Sequence, residues 1–156
     1  MGKVVEDHHY QFRADFPGVV SDKVEDFDGK GGALAWRLYT SGSPATQTGV
    51  SYNAAVKVFD TDTTDVRQLF AAGENDATQS LGATLLGRKD GAFGDDKLPS
   101  VTLSYQSVAD AAAGPLKGTV LLVVKGRRLY EVTFSFRGAD QTAIGTKFFQ
   151  SFQILK

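Results

Sequence analysis

Val120-Leu121-Leu122-Val123-Val124-Lys125-Gly126-Arg127-Arg128-Leu129-Tyr130-Glu131-Val132-Thr133-Phe134-Ser135-Phe136 decides the fold. Its first five residues are apolar without a break. Successive strand side chains point to opposite faces, so such a run belongs to a central strand covered on both sides. Gly126-Arg127 then supplies a turn, and the pattern changes to strict alternation. Tyr130, Val132, Phe134 and Phe136 share one face, while Glu131, Thr133 and Ser135 share the other. Two strands joined by so short a link pair antiparallel.

Working outward, the same alternation marks four more strands. Tyr10, Phe12, Ala14 and Phe16 form an inward row that ends at Pro17-Gly18, where proline cannot donate to a ladder. Leu34, Trp36 and Leu38 form the next, and Val50, Tyr52, Ala54, Val56 and Val58 a third, with Ser41-Gly42-Ser43-Pro44 as the loop between them. Val101, Leu103 and Tyr105 alternate before the central run. Between these groups the period changes. Val66, Leu69, Phe70, Ala77, Leu81 and Leu85 recur at helical steps, with Thr63 or Thr64 as cap and Gly73 as a weak point. Ile144, Phe148, Phe149 and Phe152 mark a terminal helix. Gly87 to Lys97, rich in glycine and charge, reads as an exposed loop. The expected order is β-β-β-α-β-β-β-α, an α+β fold with an antiparallel sheet of about six strands and helices covering both faces. Residues 1–9 are expected to be a flexible N-terminal flank, and 10–156 a single α/β/α sandwich domain.

Composition narrows function mainly by exclusion. The chain has 156 residues, with seventeen Lys and Arg against eighteen Asp and Glu, a formal charge of −1. This balance offers no basic footprint for nucleic acid. No apolar run is long enough for a transmembrane helix. The absence of cysteine excludes thiol catalysis, thiolate metal sites and disulfides, but leaves the compartment open. The opening Met-Gly-Lys-Val-Val-Glu-Asp has no apolar signal core, which fits either a cytoplasmic protein or a mature exported segment.

Each chemically suggestive motif has a structural reading that explains it better. Asp7-His8-His9 contains both histidines, yet neighbouring strand residues diverge and no further histidine completes a metal site. Asp60-Thr61-Asp62-Thr63-Thr64-Asp65 lacks the glycine and glutamate of a calcium loop and reads as a strand end entering a helix cap. Asp28-Gly29-Lys30-Gly31-Gly32 precedes a strand, whereas a phosphate cradle precedes a helix. Gly138 to Lys147 opens a helix but lacks nucleotide-loop spacing. Asp95-Asp96 lies in the glycine-rich loop, where paired carboxylates remain solvated. There is no nucleophile-elbow motif, and no cofactor is implied. The candidate binding residues are Arg37, Tyr39, Lys57 and Arg137, read with Glu131 as an outward polar row suited to an acidic protein or ligand group.

Two stretches resemble a known family. Tyr10-Gln11-Phe12-Arg13-Ala14-Asp15-Phe16-Pro17-Gly18 resembles the first strand and turn of PsbP-like domains. Gly126-Arg127-Arg128-Leu129-Tyr130-Glu131-Val132 and Phe148-Phe149-Gln150-Ser151-Phe152 resemble their last strand and terminal helix. The matched positions are packing and turn positions and carry no activity. The resemblance implies an antiparallel sheet between helices. It also implies a non-enzymatic binding or assembly module of the bacterial cell envelope that acts on a protein partner. The domain would be exported or periplasmic, its signal or lipid-anchor segment lying outside this chain. The alternatives are a small-ligand or metal-binding domain with hydrolytic activity, and a cytoplasmic adaptor.

Overall fold

The computed structural model describes residues 3–18, 20–26, 33–42, 50–59, 67, 70–71, 74–75, 84–107, 116–137 and 142–155. Ten strands and one complete helix lie among them: β1 (Lys3–Asp7), β2 (Phe12–Phe16), β3 (Val20–Asp26), β4 (Ala33–Gly42), β5 (Val50–Phe59), β6 (Thr84–Phe93), β7 (Leu98–Ser107), β8 (Leu116–Lys125), β9 (Arg128–Phe136), α1 (Thr142–Ser151) and β10 (Gln153–Ile154). They form a seven-stranded sheet in the order β3-β4-β5-β9-β8-β7-β6 and a three-stranded sheet in the order β1-β2-β10. Every pairing is antiparallel. No helix among the described residues is long and apolar enough to cross a membrane.

The Val120–Phe136 hairpin occupies the middle of the large sheet. Gly126, at φ 58°, takes the positive backbone angle that its two-residue turn requires. All five residues of the apolar run are buried and divide between the two faces by alternation. Leu121 and Val123 join Tyr130, Val132 and Phe134 in a cluster roofed by β2 and α1. Val120, Leu122 and Val124 join Val101, Leu103, Tyr105 and Leu129 in a second cluster on the opposite face.

The first cluster is largely aromatic. Phe12, Ala14 and Phe16 of β2 are fully buried in it, and Phe16 meets Phe148 of α1 at 4.9 Å between ring centroids. The Ser151 hydroxyl accepts a hydrogen bond from the Asp15 amide at 2.9 Å, fixing the end of α1 to β2. Gly145 faces Phe134 so closely that a Cβ would enter the ring, which brings the helix down onto β9. Ile144, expected on the inner helix face, is instead exposed.

Several expectations need correction. The sheet strands outnumber the expected six because the sequences of β1, β3, β6 and β10 carry no run of alternating apolar residues. The expected flank at 1–9 contributes β1, whose residues pair in register from Lys3↔Phe16 to Asp7↔Phe12. Much of the expected loop at 87–97 is β6, an edge strand whose charges and glycines discourage further pairing. Leu85, expected on a helix, lies in β6 and packs on the second cluster. Helical cover is seen in full over one face only. On the other, Arg67, Phe70, Ala71, Glu74 and Asn75 are helical, and Phe70 is buried in the second cluster. The expected caps Thr63 and Thr64, Leu81, the Asp28–Gly32 and Asp60–Asp65 motifs and the start of Gly138–Lys147 lie outside the described residues.

Candidate functional site

The four candidate binding residues do not form one row. Arg37 pairs with Val56 and Tyr39 with Ala54, so both share the face of the aromatic cluster. Lys57 alternates to the opposite face, where its Nζ lies 3.6 Å from Glu131 Oε1. Arg137 follows the Phe136 end of β9, whereas Lys57 pairs near the Arg128 end. At roughly 3.3 Å per residue, the length of β9 separates them. A register that brings Arg37 against Val56 is set between strands and leaves no mark on either strand alone.

Arg37 and Tyr39 meet instead at Asp7, which is 5% exposed. One carboxylate oxygen accepts the Tyr10 amide at 2.8 Å, and the other accepts the Tyr39 hydroxyl at 2.8 Å. Arg37 Nε lies 3.4 Å from that second oxygen, and its guanidinium sits 5.0 Å from the Tyr39 ring centre. The rest of the β1–β2 turn is held in the same way. Arg128 donates to Gln11 Oε1 at 2.7 Å and to the His9 carbonyl at 3.2 Å, while the Tyr130 hydroxyl donates to the Tyr10 carbonyl at 2.7 Å. Burial pushes the Tyr130 hydroxyl above its ordinary pKa and the Asp7 charge adds to this, while the Arg128 guanidinium pulls the other way. Gln11 itself adopts φ 59°. These bonds satisfy a buried carboxylate and a tight turn, and so clamp the small sheet to the large one.

The histidines do not converge. His8 is largely exposed beside Glu6, and His9 packs edge-on to Tyr10 at 4.6 Å. Among the described residues no three His, Cys, Asp or Glu side chains form a metal-binding group.

A surface cleft of about 480 Å³ opens elsewhere, between the β6–β7 turn and β10. Phe93, Leu98, Phe152 and Ile154 supply its apolar lining, and Gly94, Asp95, Asp96 and Gln153 supply the remainder. The turn is closed by the Lys97 amide donating to the Gly94 carbonyl at 3.2 Å, with Gly94 at φ 71° and Lys97 at φ 50°. Phe152 is almost wholly buried, with its ring 5.4 Å from that of Phe93 and 6.0 Å from both Phe12 and Tyr130. The cleft floor is therefore an extension of the aromatic core. Its rim is exposed, with Asp95 and Asp96 side by side. The sequence presents those carboxylates as a solvated loop pair and hides their setting, because Phe152, Gln153 and Ile154 arrive from the C-terminal end through the pairing of β10 with β2.

A second, shallower depression of about 370 Å³ lies on the other face of β6, lined by Arg67, Phe70, Arg88, Asp90, Gly91, Pro99 and Ser100. Arg88 is already engaged there, 3.2 Å from Glu74 and 3.4 Å from Asp90.

No family model matches the chain, and no curated protein matches it. Solved structures do. Cyanobacterial PsbP (CyanoP) from Synechocystis sp. PCC 6803 is 14% identical with a TM-score of 0.56, over 98% of this chain and 92% of that one. The Saccharomyces cerevisiae Ran-binding protein Mog1p is 12% identical with a TM-score of 0.55, over 100% and 96%. A Bacteroides thetaiotaomicron VPI-5482 protein is 14% identical with a TM-score of 0.54, over 99% of this chain and 49% of its own. At such identities the likeness is one of fold alone, and it extends to the antiparallel sheet that a PsbP-like resemblance implies.

Proposed function

We propose that the chain is a non-enzymatic docking module that binds a protein partner through the cleft between the β6–β7 turn and β10. The observation that carries this reading is the cleft itself. Half-buried Phe93 and Leu98 lie at the surface over the nearly buried Phe152, so apolar area is presented on a base that the core holds still. A rigid aromatic and aliphatic floor with a polar rim is the anatomy of a contact surface. One protein of the same fold, Mog1p, is a Ran-binding protein, which supports a docking role by analogy of fold. The reading extends to the bacterial cell envelope, supported by the PsbP-like resemblance at residues 10–18 and 126–132.

The test is a photo-crosslinking side chain placed at Gln153 in the cleft and, separately, at the exposed Lys117 of β8, both expressed in the source organism. A discrete protein adduct from position 153 and none from position 117 is expected, recovered in the envelope fraction. Adducts of equal yield from both positions, or none from 153, would overturn the docking reading. Recovery of the adduct in the cytoplasm would overturn the envelope assignment alone.

A further inference from the structure

We infer that the cleft receives an arginine or lysine side chain, flanked by apolar residues, from a segment of the protein partner; this rests on the docking reading above. The lining divides into two chemistries that match the two parts of such a side chain. Phe93, Leu98, Phe152 and Ile154 form an apolar trough suited to an aliphatic stem, and the aromatic rings add a surface on which a guanidinium stacks. Asp95 and Asp96 place two carboxylates on the rim, and neither forms an ion pair or hydrogen bond among the described residues. Among the described residues no lysine or arginine lines the cleft, and Gln153 adds a neutral donor and acceptor. An anionic segment would meet like charge, and a wholly apolar one would leave two carboxylates desolvated without a partner.

The volume agrees with this occupant. About 480 Å³ lies within the range of roughly 300–1,000 Å³ of sites that enclose a ligand group, enough for one long side chain and part of its neighbours. Both carboxylates belong to a turn closed by the Lys97-to-Gly94 hydrogen bond, which reduces the backbone rearrangement that binding requires.

The experiment titrates the ¹⁵N-labelled full chain with acetyl-Gly-Leu-Arg-Leu-Gly-amide, with the same peptide carrying Glu for Arg, and with arginine amide alone. Saturable shifts at Gly94, Asp95, Asp96 and Gln153 are expected with the Arg peptide and none with the Glu peptide. The double variant Asp95→Asn/Asp96→Asn, its remaining spectrum unchanged, should bind about tenfold more weakly, because a charge pairing at the rim is lost. Undiminished binding by the double variant, equal shifts with the Glu peptide, or no shifts at the cleft would sink the proposal. Arginine amide binding as tightly as the peptide would also overturn it, in favour of a small-molecule site. The crosslinking result separates the two readings. An adduct retained in full by the double variant leaves docking standing and removes the cationic occupant, whereas loss of the wild-type adduct removes docking itself.

Discussion

β9 and β6 are both strands of one sheet, yet they are held by different forces. β9 has β5 and β8 as neighbours and packs on both faces, with Tyr130 and Val132 fully buried on one side and Leu129 buried on the other. Among the described residues β6 has a single neighbour, β7, and its residues are mostly exposed. Its middle reads Gly87-Arg88-Lys89-Asp90-Gly91, with a register shift between Leu85 and Gly87. Side-chain burial dominates the centre, while the edge depends on its backbone ladder and uses charge to refuse a further strand. The proposed cleft lies where the two regimes meet, with an edge turn above and the core ring of Phe152 below.

The sharpest way to break this contrast is one substitution made in both settings. Leu122, wholly buried in the centre, and Leu86, 63% exposed on the edge, differ only in surroundings. Leu122→Ala should lower unfolding stability by about 3 kcal/mol through lost burial and an unfilled cavity. Leu86→Ala should change it by less than about 0.5 kcal/mol. Urea denaturation of the two variants measures both, and similar losses would show that the edge is as packed as the centre.

The same contrast explains what could be read in advance. Apolar periodicity reports burial, so the centre was legible: β2, β5, β7, β8 and β9 each carry an inward row that the structure buries. The outer strands of the large sheet left no such trace. β3 runs Val20-Ser21-Asp22-Lys23-Val24-Glu25-Asp26, and β6 carries glycines and charges. Their membership rests on hydrogen bonds, which any residue except proline can make. β1 was hidden for a related reason: of its two buried residues, Val5 and Asp7, the second is a carboxylate satisfied by Tyr10 in the adjoining turn and by Arg37 and Tyr39 of β4. The candidate site was not legible, for the sequence marks Asp95-Asp96 only as a solvated pair in a loop. Its floor required the long-range placement of Phe152 and Ile154, and the face of Arg37 required a register. Neither is a local property.

A second contrast concerns two tyrosines. Tyr130 in the centre donates to the Tyr10 carbonyl, but the hydroxyl of Tyr105 on β7, nearer the edge, finds no hydrogen-bond partner among the described residues. Burial pushes the Tyr105 hydroxyl up to about 12 from an ordinary 10.0. Above pH 10 the unfolded chain therefore releases a proton that the folded chain keeps, and stability falls as pH rises toward 12. Below pH 10 this contribution is fully present. The loss should reach on the order of 2 kcal/mol by pH 12. Tyr105→Phe should flatten the slope in thermal melts taken between pH 9 and 12, leaving the smaller slope that the raised pKa values of Tyr52 and Tyr130 contribute in the same direction. At neutral pH the same variant should be close to neutral, since it removes a buried hydroxyl without orphaning a partner. An unchanged slope would mean that Tyr105 ionises as freely folded as unfolded.

The smallest expected effect is the most discriminating, because its sign reverses. Glycine in a strand interior is weakened by chain entropy, so alanine is favoured by about 0.5–1 kcal/mol wherever space allows. At Gly87 on β6 a Cβ would meet nothing within 4 Å, and the backbone angle suits an ordinary residue. Gly87→Ala should therefore be neutral or raise stability by a few tenths of a kcal/mol, on the order expected for a compatible site. At Gly118 on β8 the cross-strand partner is Tyr105, whose ring lies directly over the glycine where a Cβ would stand. Gly118→Ala should lower stability by about 1–2 kcal/mol, since either the buried ring or the strand must shift against close packing. The double variant Gly118→Ala/Tyr105→Leu should recover much of that loss, because a smaller side chain leaves room for the new methyl. Thermal melts of the three variants decide the matter. A loss at Gly87 equal to that at Gly118 would mean that both glycines are kept for the backbone, and recovery in the double variant would mean that the central one is kept for the tyrosine above it.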